Sequence, residues 1–163
     1  MPEPEQFDFD QSLSETLKAI DLGPHCSYAD ITMEMLRVHL PLPWSASRYA
    51  AAAFGGGVGG SGGPCGAFTA ALVALSLLAG RDEPAGCVAE NVEKQAQAFY
   101  DAWMATHGTF LCSELTGYPS LRDHEVQDEF SAGGKVDECT QQRIQFAVET
   151  ALRLASQAGA PAH

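Results

Sequence analysis

The chain has 163 residues, 45% of them hydrophobic, which suits one domain with a real core and argues against wholesale disorder. Nine basic against 21 acidic residues give a net charge of −12, a sign that argues against nucleic acid or an anionic membrane surface as the main partner, because Lys and Arg hold phosphates. The longest apolar run, Ala67 to Ala79, is interrupted by Thr69 and Ser76 and falls short of the roughly 18 residues of a membrane span, so no membrane insertion is expected.

Residues 1–8 read as a disordered acidic tail, the opposite of a signal peptide's basic start, which places the protein in the cytoplasm with reduced thiols. The rest, 9–158, reads as one helical domain, with 159–163 a flexible C-terminus. A first helix is predicted from Phe9 to Ile20, with Leu13 and Leu17 at helical spacing. Gly23-Pro24 stops it, and a second runs from about Ser27 to His39 with Ile31, Met35 and Val38 on one face. Pro41 and Pro43 break that helix, and Trp44 to Phe54 reads as an Ala-rich third. A Gly-rich stretch, Gly55 to Gly63, then leads through Pro64 into the segment Ala67 to Ala79, apolar nearly all round and so expected at the centre of a bundle.

After a turn at 81–86, a long amphipathic helix is predicted from Cys87 to His107, with Val92, Ala96, Phe99 and Trp103 inward. A short helix follows over Thr109 to Leu115, then a polar loop from Ser120 to Lys135. The last helix is expected from Asp137, its cap, to Ala158, with Ile144, Val148, Ala151 and Ala155 inward. The fold class is all-α: a single-domain bundle of five or six helices with the Gly-rich loop before the central apolar helix. Ala-rich apolar helices make a homodimer reasonable.

Five cysteines, Cys26, Cys65, Cys87, Cys112 and Cys139, are widely spaced with no CxxC pair, so neither a thioredoxin motif nor a zinc finger is present. Cys26, Cys65, Cys87 and Cys139 each fall at a predicted helix start, where the macrodipole favours a thiolate. Cys65 is the strongest candidate nucleophile, because glycine backbone beside it can approach a substrate or cluster closely. The Gly-rich segment is not a P-loop, lacking a following Gly-Lys-Ser/Thr, and no strand precedes it as a Rossmann fingerprint requires. Asp137 and Glu138 would oppose ionisation of Cys139. No Ser-His-Asp arrangement or HExxH motif supports a hydrolase.

Phe54-Gly55-Gly56-Gly57, followed by Gly62-Gly63-Pro64-Cys65-Gly66-Ala67-Phe68-Thr69-Ala70, resembles the redox-active protein family with the pattern C…GCAxxG…C…C. Cys26 fits its first position and Cys65-Gly66-Ala67 its central motif. Cys112 before Leu115-Thr116-Gly117 and Cys139 fit the last two, the match covering roughly residues 22 to 157. Cys87 has no counterpart, and Ala70 or Ala71 stands where the motif closes on Gly. The resemblance implies an all-helical bacterial protein in which four cysteines gather at one site. Related sequence is joined to a haem-binding part in split-Soret-type cytochromes, but no CxxCH exists here, which excludes covalent c-type haem.

Three functions follow as expectations. One is thiol redox chemistry, in which Cys65 attacks and Cys26, Cys112 or Cys139 resolves, with a redox protein or small thiol as partner. Another is an iron–sulfur cluster or zinc on the thiolates of Cys26, Cys65, Cys112 and Cys139, with backbone at Gly63 and Gly66 close to the cofactor. The third is a helical interaction module whose cysteines are merely buried.

Overall fold

The most apolar stretch of the sequence becomes the central helix. In the computed structural model, which describes residues 7–20, 26–42, 48–80 and 90–159, the chain forms α1 (Phe9–Ala19), α2 (Tyr28–His39), a 3-10 helix (Arg48–Phe54) and α3 (Gly66–Gly80). It continues through α4 (Glu90–His107), α5 (Cys112–Thr116), α6 (His124–Ala132), α7 (Lys135–Glu138), a π-helical segment (Cys139–Ile144) and α8 (Gln145–Gln157). The all-helical expectation holds: the sole β feature among the described residues is one isolated bridge, Pro64 opposite Leu111.

Helix α3 packs against α2, α4 and α8. Its buried small residues, Ala67, Ala70, Ala71 and Ala74, let those neighbours approach closely, and Leu75 and Leu78 fill its C-terminal half. At Gly66 an added Cβ would lie 3.0 Å from Ala29 Cβ and 3.0 Å from the Phe54 carbonyl, so glycine sets the crossing with α2. Phe68 anchors an aromatic cluster: Phe110 stacks on it at 5.5 Å and Trp103 meets it edge-on at 5.3 Å. The Trp103 indole N–H donates to the Thr109 carbonyl at 2.9 Å, so the buried ring is fully satisfied.

Of the expected inward residues, Phe99, Trp103, Ile144, Val148, Ala151 and Ala155 are buried, whereas Val92 and Ala96, nearer the start of α4, are only half-buried. On α2, Ile31 and Met35 are buried but Val38 is 50% exposed. Every residue of α2 from Ala29 to Leu36 is buried, so that part of the helix is enclosed on all sides, and exposure begins at Arg37 and Val38. The expected polar loop from Ser120 to Lys135 instead contains α6, capped by the Asp123 side chain accepting the Glu125 N–H at 2.9 Å. Only Phe130 of α6 is buried, so the helix carries almost no hydrophobic periodicity to read. The last helix begins at Lys135 behind Gly134 rather than at Asp137.

Of the expected tail, Phe7 and Asp8 are described: Asp8 caps α1 through the Gln11 N–H, and the Phe7 ring meets that of His39 at 5.1 Å. The remainder of that tail lies outside the described residues, as do 160–163, Gly23-Pro24, Trp44, the turn at 81–86 and Cys87. No helix among the described residues is long and apolar enough to cross a membrane.

Candidate functional site

The Gly-rich stretch is an ordered left-handed turn. Gly56, Gly57, Val58, Gly59 and Gly60 have φ of 60°, 76°, 59°, 61° and 76°. An L side chain costs about 1–2 kcal/mol in that conformation, which is why glycine dominates the run. Val58, 42% exposed, is the one residue with a side chain there, so Val58→Gly is expected to stabilise the fold by up to about 1 kcal/mol. Denaturant unfolding of the variant checks it; a lower midpoint would mean the Val58 side chain makes contacts that outweigh its backbone strain.

The turn grips a distant segment. The Gly60 carbonyl accepts the Leu121 N–H at 2.8 Å and the Ser120 hydroxyl at 2.9 Å, and Arg122 Nε donates to the Gly59 carbonyl at 3.1 Å. Leaving the turn, the chain pairs with the segment before α5. Cys65 N–H donates to the Phe110 carbonyl and Cys112 N–H to the Gly63 carbonyl, both at 2.7 Å. These bonds flank the Pro64–Leu111 bridge and make Cys65 and Cys112 diagonal neighbours, each at the start of a helix.

The other two cysteines arrive from different elements. Cys26 directly precedes Ser27, the cap of α2, whose capping box is closed by Asp30. Cys139 opens the π-helical segment, where wider i→i+5 pairing brings residues four to five apart onto one face, so that it shares a wall with Arg143. All four line a single cavity of about 870 Å³, with Tyr28, Thr116 and Arg143. Cys65, Cys112 and Cys139 are buried free thiols and Cys26 is half-buried.

Burial controls their protonation. It pushes the Cys65 thiol up, although the N–H groups of Phe68 and Ala67 donate to its sulfur and the Arg143 charge draws it back. Cys112 is pushed up to about 11, first by burial and then by the charge of Cys65, with the Thr116 hydroxyl opposing. Cys139 is pushed up to about 12 by burial, against Arg143, with Cys65, Cys112 and Glu138 adding to the rise. The expectation that helix starts ionise these thiols is therefore corrected: desolvation outweighs the dipole. Tyr28 is likewise raised, by burial and then by Cys139. The part expected of Glu138, opposing a Cys139 thiolate, agrees in sign.

A folded-state pKa above the unfolded value means that protonated thiols stabilise the fold fully below about 9.0 and lose that contribution as pH rises towards 11 for Cys112 and 12 for Cys139. Stability is expected to fall above pH 9 by roughly a kcal/mol per pH unit for each thiol. Denaturant midpoints measured from neutral to alkaline pH check this, and a midpoint that stays level across the window in the wild type would contradict it.

Arg143 stands four residues after Cys139 and so on the same helical face, but nothing in the sequence marks it as buried. Its side chain is 8% exposed, with one terminal nitrogen 2.8 Å from Glu138 Oε1 and donating to the Leu115 carbonyl at 3.0 Å. The other donates to the Glu138 carbonyl at 3.2 Å and Gln142 Oε1 at 2.9 Å. Its Nε–H is buried with no protein partner. Gly66 lines the cavity, whereas Gly63 has both backbone groups engaged within the protein, its N–H on the Gly57 carbonyl at 3.0 Å. Among the described residues, no three His, Cys, Asp or Glu side chains stand together as a site for a metal ion.

One family model matches residues 25–154, described as putative redox-active protein (C_GCAxxG_C_C). The chain belongs to this family. The match takes in Cys26, Cys65, Cys112 and Cys139 together with the left-handed turn and the π-helical segment, so every cysteine lining the cavity lies within the C_GCAxxG_C_C region. No curated protein and no solved structure matches the chain.

Proposed function

We propose that this member of the C_GCAxxG_C_C family is a thiol redox protein whose working pair is Cys65 and Cys112. The observation that carries the reading is the double hydrogen bond that fixes these two residues as neighbours on the wall of one cavity. Cys65 is assigned as the attacking group because two backbone N–H groups and the Arg143 charge partly offset the burial that raises its pKa, and the sulfur lies at the N-terminus of α3. The Cys65 thiolate attacks a disulfide R–S–S–R, forming Cys65–S–S–R and expelling RS⁻. The Cys112 thiolate then attacks the Cys65 sulfur, forming the Cys65–Cys112 disulfide and expelling the second RS⁻. Two electrons pass from the protein to the small disulfide, and the two thiol protons leave with the RS⁻ groups. Diagonal neighbours stand farther apart than a disulfide allows, so closing the bond requires the short helix α5 to shift.

A second reading rests on Cys26 and Cys139, which a dithiol does not need and which line the same cavity. Four thiolates are the usual donor set of an iron–sulfur centre, which would supply one-electron transfer there. Protein purified without oxygen separates the two. The thiol reading predicts a colourless protein without iron or acid-labile sulfide that loses a pair of titratable thiols on oxidation by a small disulfide. Visible absorption with iron and sulfide, lost in variants of any of the four cysteines, would replace it with the cluster.

A further inference from the structure

The cavity runs against the charge of the molecule that contains it. The chain carries 21 acidic and nine basic residues, yet among the described residues the cavity lining includes no Asp or Glu, and its charged members are Arg122 and Arg143. Arg143 is more than nine-tenths buried, an arrangement that costs several kcal/mol unless something answers the charge. Glu138 answers part of it, but Glu138 also pairs with Lys135 at 2.7 Å, so the three groups sum to one positive charge. The Arg143 Nε–H has no partner within the protein. The N-terminus of α3 opens on the same space and adds positive potential beside Cys65.

We propose that the cavity selects an anionic co-substrate, a small disulfide bearing carboxylate groups, with the buried charge of Arg143 in its wall setting the preference and Arg122 as a second charge at the exposed side. This deepens the thiol redox reading and rests on it. The chemistry is the exchange already written, R now carrying a carboxylate: Cys65 attacks one sulfur, the carboxylated thiolate leaves, and Cys112 releases the second. Arg143 lowers the energy of the anion in the cavity, where the low dielectric strengthens the attraction.

The test uses the whole protein with three disulfides of matched size: dithiodipropionate (a dianion), hydroxyethyl disulfide (neutral) and cystamine (a dication). Rates of thiol loss are compared at low ionic strength and about pH 8.5. The net charge of −12 alone would draw in the cation, so the two ideas predict opposite orders. The expected order is dianion, neutral, dication, with the dianion about tenfold ahead of the neutral compound and its lead shrinking in salt. Arg143→Gln should erase that lead; if this variant unfolds, Arg122→Gln should reduce it, and the order in the wild type stands as a test by itself. Reaction with all three in which cystamine leads, or in which charge has no effect, overturns the anion site and leaves the dithiol. Failure to react with any of them overturns both.

Discussion

Cys65→Ser is expected to abolish thiol–disulfide exchange while leaving the helical content and unfolding midpoint nearly unchanged. Serine keeps the size of the side chain, and its hydroxyl can accept the same N–H groups of Ala67 and Phe68 that the sulfur accepts. It cannot form a mixed disulfide, so the first step is lost rather than slowed. Cys112→Ser should behave differently: the protein should still react once and then stall as a stable mixed disulfide on Cys65, visible as added mass. Cys87→Ser should leave the rate unchanged, since Cys87 has no place in the family pattern. Assays with a small disulfide, paired with mass spectrometry, read all three. Undiminished reactivity of Cys65→Ser would remove Cys65 from the mechanism.

Gly62→Ala is expected to have the largest effect on stability. The residue has φ of 77°, and a Cβ there would lie 2.2 Å from the Pro119 carbonyl oxygen, a backbone atom that cannot turn aside. The conformational cost is about 1–2 kcal/mol, and moving the 119–122 segment adds to it, for a total of about 3 kcal/mol or more. Function should fall with it, because the Gly62 carbonyl accepts the Ser113 N–H at 3.0 Å, one bond along from the pair that fixes Cys65 to Cys112. Gly59→Ala is the matched control: its φ is 61°, but nothing lies within 4 Å of the added Cβ, so only the conformational cost applies. Equal midpoints for the two variants would mean that the contact with Pro119 does not constrain the turn.

The helices with strong apolar patterns were legible in the sequence. Ala67 to Ala79 announced a buried centre, and Phe99, Trp103, Ile144 and Val148 lie where their spacing put them. Helix α6 was not legible because it buries little beyond Phe130, and its evidence is a cap at Asp123. Cysteine order and the FGGG element pointed to the family, and the glycines flagged a special backbone. That they form a left-handed turn depends on consecutive positive φ values, which glycine permits without dictating. The thiol pKa values went the other way from expectation because burial is a tertiary property. Arg143 shares a face with Cys139 by its spacing of four, but that it is buried against the cavity is again a tertiary property.

The most direct measurement is peptide mapping of the protein after oxidation with one equivalent of a small disulfide under non-reducing conditions. A Cys65–Cys112 linked peptide as the main product is the predicted result, with Cys139 still alkylatable after unfolding. A main product lacking Cys65, or one joining Cys87 to any partner, would contradict the assignment of the cavity pair as the working dithiol.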